Sequence, residues 1–264
     1  LLTQYRILAK QTGTIAIPAD VGPLANAPQK ISAEFTFPYL AHAAMEPMNC
    51  VIQRTADGLE VWNGEQFHTV DQGALAAMFG IPVDKVNIHT LYAGGSFGRR
   101  ASTAVDYIRE AGSIVKALGE QGTHAKAPVK LVWMREDDMK AGYYRPMFHH
   151  RLEATLDADG SIRAWRHRLV GQSIAKGSPF EAFMIKDGVD GLSVEGAATL
   201  PYAIPNLQVE LHTPAGIDVP VLWWRSVGST HTAYSTETFL DRLAVEGGQD
   251  PVAPRLKLLA SHPR

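Results

Sequence analysis

The chain has 264 residues, of which 45% are hydrophobic and 20% charged, with a formal net charge of -2. This balance fits a folded globular protein and excludes fibrous and disordered classes, and the charge leaves no basic footprint for nucleic acid. A single cysteine, Cys50, excludes an internal disulfide and any cysteine-held cluster within the chain, and no apolar run reaches the roughly eighteen residues of a membrane span.

Residues 1–30 read as a lead-in or linker from a preceding domain, because Pro18, Pro23 and Pro28 punctuate small and polar residues. Ile31 to Phe37 alternates apolar and polar residues and predicts a half-buried strand. Cys50 to Arg54 and Gly58 to Trp62 flank Ala56-Asp57-Gly58 and predict a hairpin. A helix is expected from Asp71 to Phe79, with Leu75, Met78 and Phe79 on one face and a stop at Gly80. Val86 to Leu91 then reads as a strand running into Gly94-Gly95-Ser96-Phe97-Gly98-Arg99-Arg100, and Val105 to Leu118 as the helix leaving that loop. Further on come a buried strand from Val129 to Met134 and a hairpin of Phe148–Leu156 with Ile162–Val170 across Asp157 to Gly160. Leu207 to His212 is a last strand, followed by helices from about Ser235 to Val245 and from Pro251 to Leu259. Hairpins mixed with helices imply an α+β fold of mixed sheets with packed helices. Leu1 is not an initiating Met and the chain stops abruptly after Ser261-His262-Pro263-Arg264, so it reads as part of a longer protein.

Strand, glycine loop and helix in sequence form the context of an anion loop, since glycine lets backbone N–H groups approach an acceptor and arginine adds charge-assisted hydrogen bonds. Two common nucleotide loops do not fit. Gly-x-Gly-x-x-Gly is not met, and Arg99 and Arg100 stand where the ATP-type loop needs lysine and a hydroxyl residue. Phe97 between glycines is unusual for a phosphate turn and calls for a packing partner.

The loop resembles the Gly-Gly-x-Phe-Gly segment of the molybdenum hydroxylases, the xanthine oxidase and aldehyde oxidase family. Two more segments agree in order. Ala41-His42-Ala43-Ala44-Met45-Glu46-Pro47-Met48-Asn49-Cys50 resembles the stretch before the family's first cofactor strand, in the form found in the isoquinoline 1-oxidoreductase branch. Trp224-Arg225-Ser226-Val227-Gly228-Ser229-Thr230-His231 is similar to the second cofactor segment. On this resemblance, residues 31–264 are the N-terminal portion of a molybdopterin-binding domain that continues beyond the chain.

The resemblance implies roles for particular residues. Gln66 matches a glutamine that hydrogen-bonds an oxo ligand of molybdenum. Gly94, Gly95, Phe97, Gly98 and Arg99 match the cofactor loop, and Arg225 and Gly228 the segment against the pterin. Arg145 sits where relatives have a substrate-facing arginine. The general-base glutamate of the family lies beyond residue 264, so this chain alone should be inactive. Ala101 and Val227 replace a glutamate and a phenylalanine of purine-oxidising relatives, which points to a less polar or differently shaped ring, or to an aldehyde.

The implied activity is hydroxylation of an N-heteroaromatic ring, or oxidation of an aldehyde, with water as oxygen source. The implied cofactor is a molybdenum-pterin group in its cytosine dinucleotide form, held through pterin sulfurs and not by protein metal ligands. His149-His150 and His42 with Glu46 lack ligand spacing. The expected partners are a small subunit carrying [2Fe-2S] clusters, the rest of the large subunit, a cytochrome c electron acceptor and a small-molecule substrate, with no nucleic acid and no membrane insertion. The periplasm is the expected compartment and the cytoplasm the alternative. A second reading stays open at this point: a non-catalytic domain that keeps the fold to bind an anion or a partner protein.

Overall fold

The structure, a computed structural model, describes residues 1–27, 30–122 and 126–262. Pro28 of the lead-in and the closing Pro263 and Arg264 lie outside them. The chain folds into two compact units, one of residues 41–145 with 222–225, the other of residues 1–40, 146–221 and 226–264. Both combine mixed sheets with packed helices, as the α+β reading expects. Among the described residues, no helix is long and apolar enough to cross a membrane.

The unit with the glycine loop has a four-stranded sheet in the order Val86–Thr90, Leu59–Asn63, Asn49–Arg54, Val129–Val132. The expected hairpin is present, with Cys50 opposite Asn63 and Arg54 opposite Leu59. Leu59–Asn63 runs parallel to Val86–Thr90, the strand that delivers the loop. Helices His68–Phe79 and Asp106–Glu120 cover the sheet. The second buries Tyr107, Ile108, Ala111, Gly112 and Val115, a spacing that puts them on one helical face. Full burial of Leu75 and Ile108 contributes about 1.5–3 kcal/mol each relative to exposure. Gly80 ends the first helix with φ 64°, the left-handed turn that favours glycine. Val129–Val132, expected to be buried, is the sheet's edge strand, and its exposure alternates along its length.

The other unit is built on a five-stranded sheet in the order Thr14–Ile17, Leu207–His212, Ile162–Gly171, Phe148–Leu156, Ile31–Phe37. The helix Ser229–Glu246 lays Phe239, Leu240 and Leu243 against Trp165 and Leu152 of this sheet. It begins six residues before the expected Ser235, a start hidden by the weak helix formers Ser229, Thr230 and Thr232. Here the hydroxyl of Thr232 donates to the Glu195 carbonyl at 2.7 Å and to that of Gly228 at 3.0 Å, so tertiary contacts override propensity.

Residues 1–27 correct the linker reading. Leu2–Leu8 is a helix that buries Tyr5, and Thr14–Ile17 pairs antiparallel with Leu207–His212. Pro23 opens the short helix Gly22–Asn26, where its missing N–H costs nothing. Pro18 thus follows a strand end and Pro23 sits in the first turn of a helix.

As neighbours on a strand, His149 and His150 have separate partners. His149 Nδ1 lies 3.1 Å from Thr36 Oγ1, while His150 joins a buried row of three imidazoles. His167 Nε2 is 3.1 Å from His150 Nδ1, and His150 Nε2 is 3.1 Å from His231 Nδ1. Neutral rings satisfy this row when each donates its proton to the next. Burial lowers the pKa of His150 well below its usual value and that of His167 to about 3.

Below the unfolded value of 6.5 the unfolded chain binds protons that the folded chain refuses, so stability is full above about pH 6.5 and falls as pH drops toward the folded value. His167→Gln is expected to remove about 2 kcal/mol of that acid loss at pH 5. Urea unfolding of both chains at pH 7.5 and pH 5 measures it; equal pH slopes would exclude the histidine row as the cause.

Candidate functional site

The glycine loop is set by backbone conformation. Gly95, Phe97 and Gly98 have φ of 103°, 56° and 102°, and for Phe97 this left-handed geometry is strained. Phe97 has the packing partners its position calls for: its ring stacks on Trp224 at 5.8 Å, and Trp224 stacks on His42 at 4.9 Å. Burial lowers the pKa of His42, whose Nε2 lies 2.9 Å from the Trp223 carbonyl.

Segment 222–225 closes against the loop. Arg225 N–H donates to the Phe97 carbonyl at 2.8 Å, and its guanidinium lies 5.3 Å from the centre of the Phe97 ring. Trp223 Nε1 donates to the Gly98 carbonyl at 3.2 Å. On the other side the Ser96 hydroxyl donates to Gln66 Oε1. Gln66, Phe97 and Arg225, distant in sequence, therefore meet around one turn.

Gln66 is fixed at its backbone as well. Glu65 Oε1 accepts the N–H groups of Gln66 and Phe67 at 2.8 and 2.7 Å, while Glu65 Oε2 accepts from Asn63 Nδ2 at 3.0 Å. Burial, with the Glu65 carboxylate close by, pushes the Asp71 carboxyl up to about 9, so it stays protonated at neutral pH.

Arg99 and Arg100 correct the expectation of an anion held by guanidinium groups. Both side chains are 1% exposed and turn into the unit. Arg99 bridges to Asp106 with Nη1 at 3.2 Å and Nη2 at 2.5 Å, and lies 5.4 Å from the ring centres of both Trp133 and Tyr143. Arg100 donates from Nη2 to Glu46 Oε2 at 3.1 Å and from Nε to the Gly95 carbonyl at 3.2 Å. The two buried cations hold the loop from within, each through charge-assisted hydrogen bonds to a partly exposed carboxylate, Asp106 for Arg99 and Glu46 for Arg100.

Glu46, singled out in the sequence only as part of a motif, is the loop's anchor. Its Oε2 accepts the Gly94 N–H at 2.6 Å, its own N–H donates to the Gly94 carbonyl at 3.1 Å, and Oε1 accepts from Asn49 Nδ2 at 2.9 Å. The Gly94 N–H, ahead of Asn49 and Arg100, holds the Glu46 carboxyl below the usual range. A Cβ on Gly94 would stand 2.4 Å from the Glu46 Cβ, which explains glycine there.

With the arginines committed inward, the loop's own backbone remains as donor. Among the described residues, the N–H groups of Gly95, Ser96, Phe97 and Gly98 have no protein acceptor. A row of unspent backbone donors is the chemistry that a polyanionic or oxo-rich group requires.

Arg145 ends the strand Tyr144–Arg145, tied to the closing segment by Leu222 N–H donating to the Tyr144 carbonyl at 2.9 Å. Its guanidinium is half-buried, and burial lowers its pKa. Gly228 lies in the other unit. Its N–H donates to Glu195 Oε2 at 3.2 Å, and a Cβ there would meet the Leu192 carbonyl at 2.4 Å, so packing accounts for the glycine. Among the described residues, no group of three or more His, Cys, Asp or Glu could hold a metal ion.

The profile of the molybdopterin cofactor-binding domain matches residues 19–259. The chain is 34% identical over 227 residues to the beta chain of isoquinoline 1-oxidoreductase from Brevundimonas diminuta, covering 84% of this chain and 27% of that protein. It is 26% identical over 257 residues to a nicotinate dehydrogenase subunit from Pseudomonas putida, covering 95% of this chain and 21% of that one. Its fold matches the aldehyde oxidoreductase of Desulfovibrio gigas with a TM-score of 0.70 at 20% identity, over 93% of this chain and 26% of that chain. The chain thus spans about a quarter of the length of these relatives.

Proposed function

Since the chain belongs to the molybdopterin cofactor-binding domain family, we propose that it is the cofactor-binding portion of the large subunit of a molybdenum hydroxylase acting on an N-heteroaromatic ring. One observation carries the reading: the unspent N–H groups of Gly95 to Gly98 lie beside the Gln66 amide and the Arg225 side chain on one turn. Gly94, Gly95, Phe97 and Gly98 would hold the group by the loop backbone, Gln66 by its amide and Arg225 by its exposed cation. Arg99 serves the same loop from behind, and Gly228 lets the second cofactor segment pack.

When bound, the molybdenum-pterin group supplies a two-electron oxidation in which oxygen from water enters an electron-poor carbon. The chain's own residues orient and stabilise. A Gln66 amide donor and unspent backbone donors favour oxygen acceptors and developing negative charge. Arg145, a cation in a half-buried setting, is the candidate to meet the substrate. The base that takes the proton lies outside these residues.

The relatives named for isoquinoline and nicotinate support a nitrogen heterocycle as substrate, and their subunit names support a multi-subunit complex. We assign the [2Fe-2S] clusters to a small partner subunit, the cofactor to the cytosine dinucleotide form, electron exit to a cytochrome c and the site of action to the periplasm. The intact complex is expected to contain molybdenum with a pterin cytosine dinucleotide, and to reduce a dye acceptor with quinoline-type rings faster than with aldehydes. A complex with neither molybdenum nor pterin would return the chain to a non-catalytic binding role; aldehydes turned over faster would replace the substrate class.

A further inference from the structure

We propose that Ser96 is a positioning residue that decides which end of the Gln66 side-chain amide faces away from the glycine loop, an inference that rests on the proposed role of Gln66 toward the cofactor. Ser96 Oγ accepts the backbone N–H of Arg100 at 3.0 Å. The hydroxyl has one proton to give, and among the described residues it goes to Gln66 Oε1.

That bond turns the amide carbonyl inward and leaves Nε2, with both protons, without a protein acceptor among the described residues. A flipped amide would instead donate to a hydroxyl oxygen that already accepts the Arg100 N–H, and would turn the hydroxyl proton away from its protein acceptor and out to solvent. The orientation is therefore chosen by a side chain and not by solvent.

Ser96 is itself held rigidly. The Arg100 N–H that it accepts belongs to a residue whose guanidinium is anchored on Glu46, and Glu65 fixes the Gln66 backbone from the opposite side at 2.8 Å. Gln66 is exposed, so without Ser96 its side chain would sample several rotamers and both amide orientations. A ligand oxygen meeting Gln66 would then find a donor only part of the time. The hydroxyl thus makes Gln66 a dedicated donor, suited to an oxygen acceptor and unsuited to a ligand that donates.

The test uses the intact complex with Ser96→Ala, Ser96→Thr, Gln66→Ala and the double variant Ser96→Ala/Gln66→Ala. Ser96→Ala is expected to retain molybdenum and pterin and to lower kcat about five- to tenfold with KM nearly unchanged. It should shift the electron paramagnetic resonance signal of the partly reduced metal in the same sense as Gln66→Ala. Ser96→Thr is expected to restore both, and Ser96→Ala is expected to add no further loss to Gln66→Ala. Wild-type kcat and signal in Ser96→Ala, beside a defective Gln66→Ala, would overturn the inference while leaving the cofactor reading intact. Loss of molybdenum in Ser96→Ala would overturn it too, by making Ser96 a support of the loop. An unaffected Gln66→Ala would remove the reading of Gln66 and this inference with it.

Discussion

Complexes carrying Gly98→Ala are expected to lose most of their molybdenum and pterin. At φ 102° any L side chain is strained, and the new Cβ would stand 2.8 Å from the Trp223 carbonyl oxygen and 3.0 Å from Trp223 Cδ1. Neither is a flexible side-chain end: the first is backbone and the second belongs to a ring whose Nε1 donates to Gly98 itself. The loop and segment 222–225 would have to part, breaking the Arg225 N–H bond to Phe97 and turning the unspent N–H groups out of register. Strain and lost contacts together cost about 2–4 kcal/mol, or about 30- to 1000-fold in cofactor retention. Metal and pterin analysis after gel filtration checks it. Gly80→Ala is the control, because φ there is also positive at 64° but nothing lies within 4 Å of a Cβ. It is expected to cost about 1 kcal/mol in stability and to keep its molybdenum. Full metal content in Gly98→Ala would refute the role of this turn.

Glu46→Ala is expected to destabilise the unit that contains the loop by about 3 kcal/mol. The substitution leaves the buried Arg100 guanidinium with no ion-pair partner among the described residues and the Gly94 N–H without its acceptor. The partial exposure of Glu46, 37% against 1% for Arg100, keeps the effect at the lower end of the range for a broken buried pair. Glu46→Gln keeps one carbonyl acceptor and should lose about half as much. Urea unfolding followed by tryptophan fluorescence separates the three chains; equal midpoints would mean that Arg100 is satisfied by the Gly95 carbonyl and by Asn63 Oδ1, which accepts from its Nη1 at 3.5 Å.

The elements that sequence reveals best are those governed by local chemistry. The strand Val86–Thr90, the helix Asp106–Glu120 and the stop at Gly80 rest on period, amphipathicity and a left-handed cap, all carried by neighbouring residues. Residues 1–27 escaped that reading because proline can begin a helix as well as end one, and only pairing with Leu207–His212 makes Thr14–Ile17 a strand.

The site divides in the same way. The motif order brought Gln66, Phe97 and Arg225 together, yet the direction of Arg99 and Arg100 depended on partners the loop does not contain. Glu46 lies 54 residues before Arg100 in sequence, and Asp106 opens the next helix, where a carboxylate also suits the helix dipole. Two cations after a glycine loop look the same on paper whether they face a ligand or the interior. Ser96 was invisible for a related reason, since a loop serine gains a role only when its hydroxyl proton has one place to go.

The bond from the Arg225 N–H to the Phe97 carbonyl has a consequence for the order of events during synthesis. Phe97 leaves the ribosome long before Arg225 exists, so the turn cannot take its finished form while the first of them emerges. Segment 222–225 returns to the unit only after most of the intervening polypeptide has been made, and any nascent chain shorter than that presents an unfinished cradle. The path of the polypeptide itself therefore places completion of this turn after translation of segment 222–225.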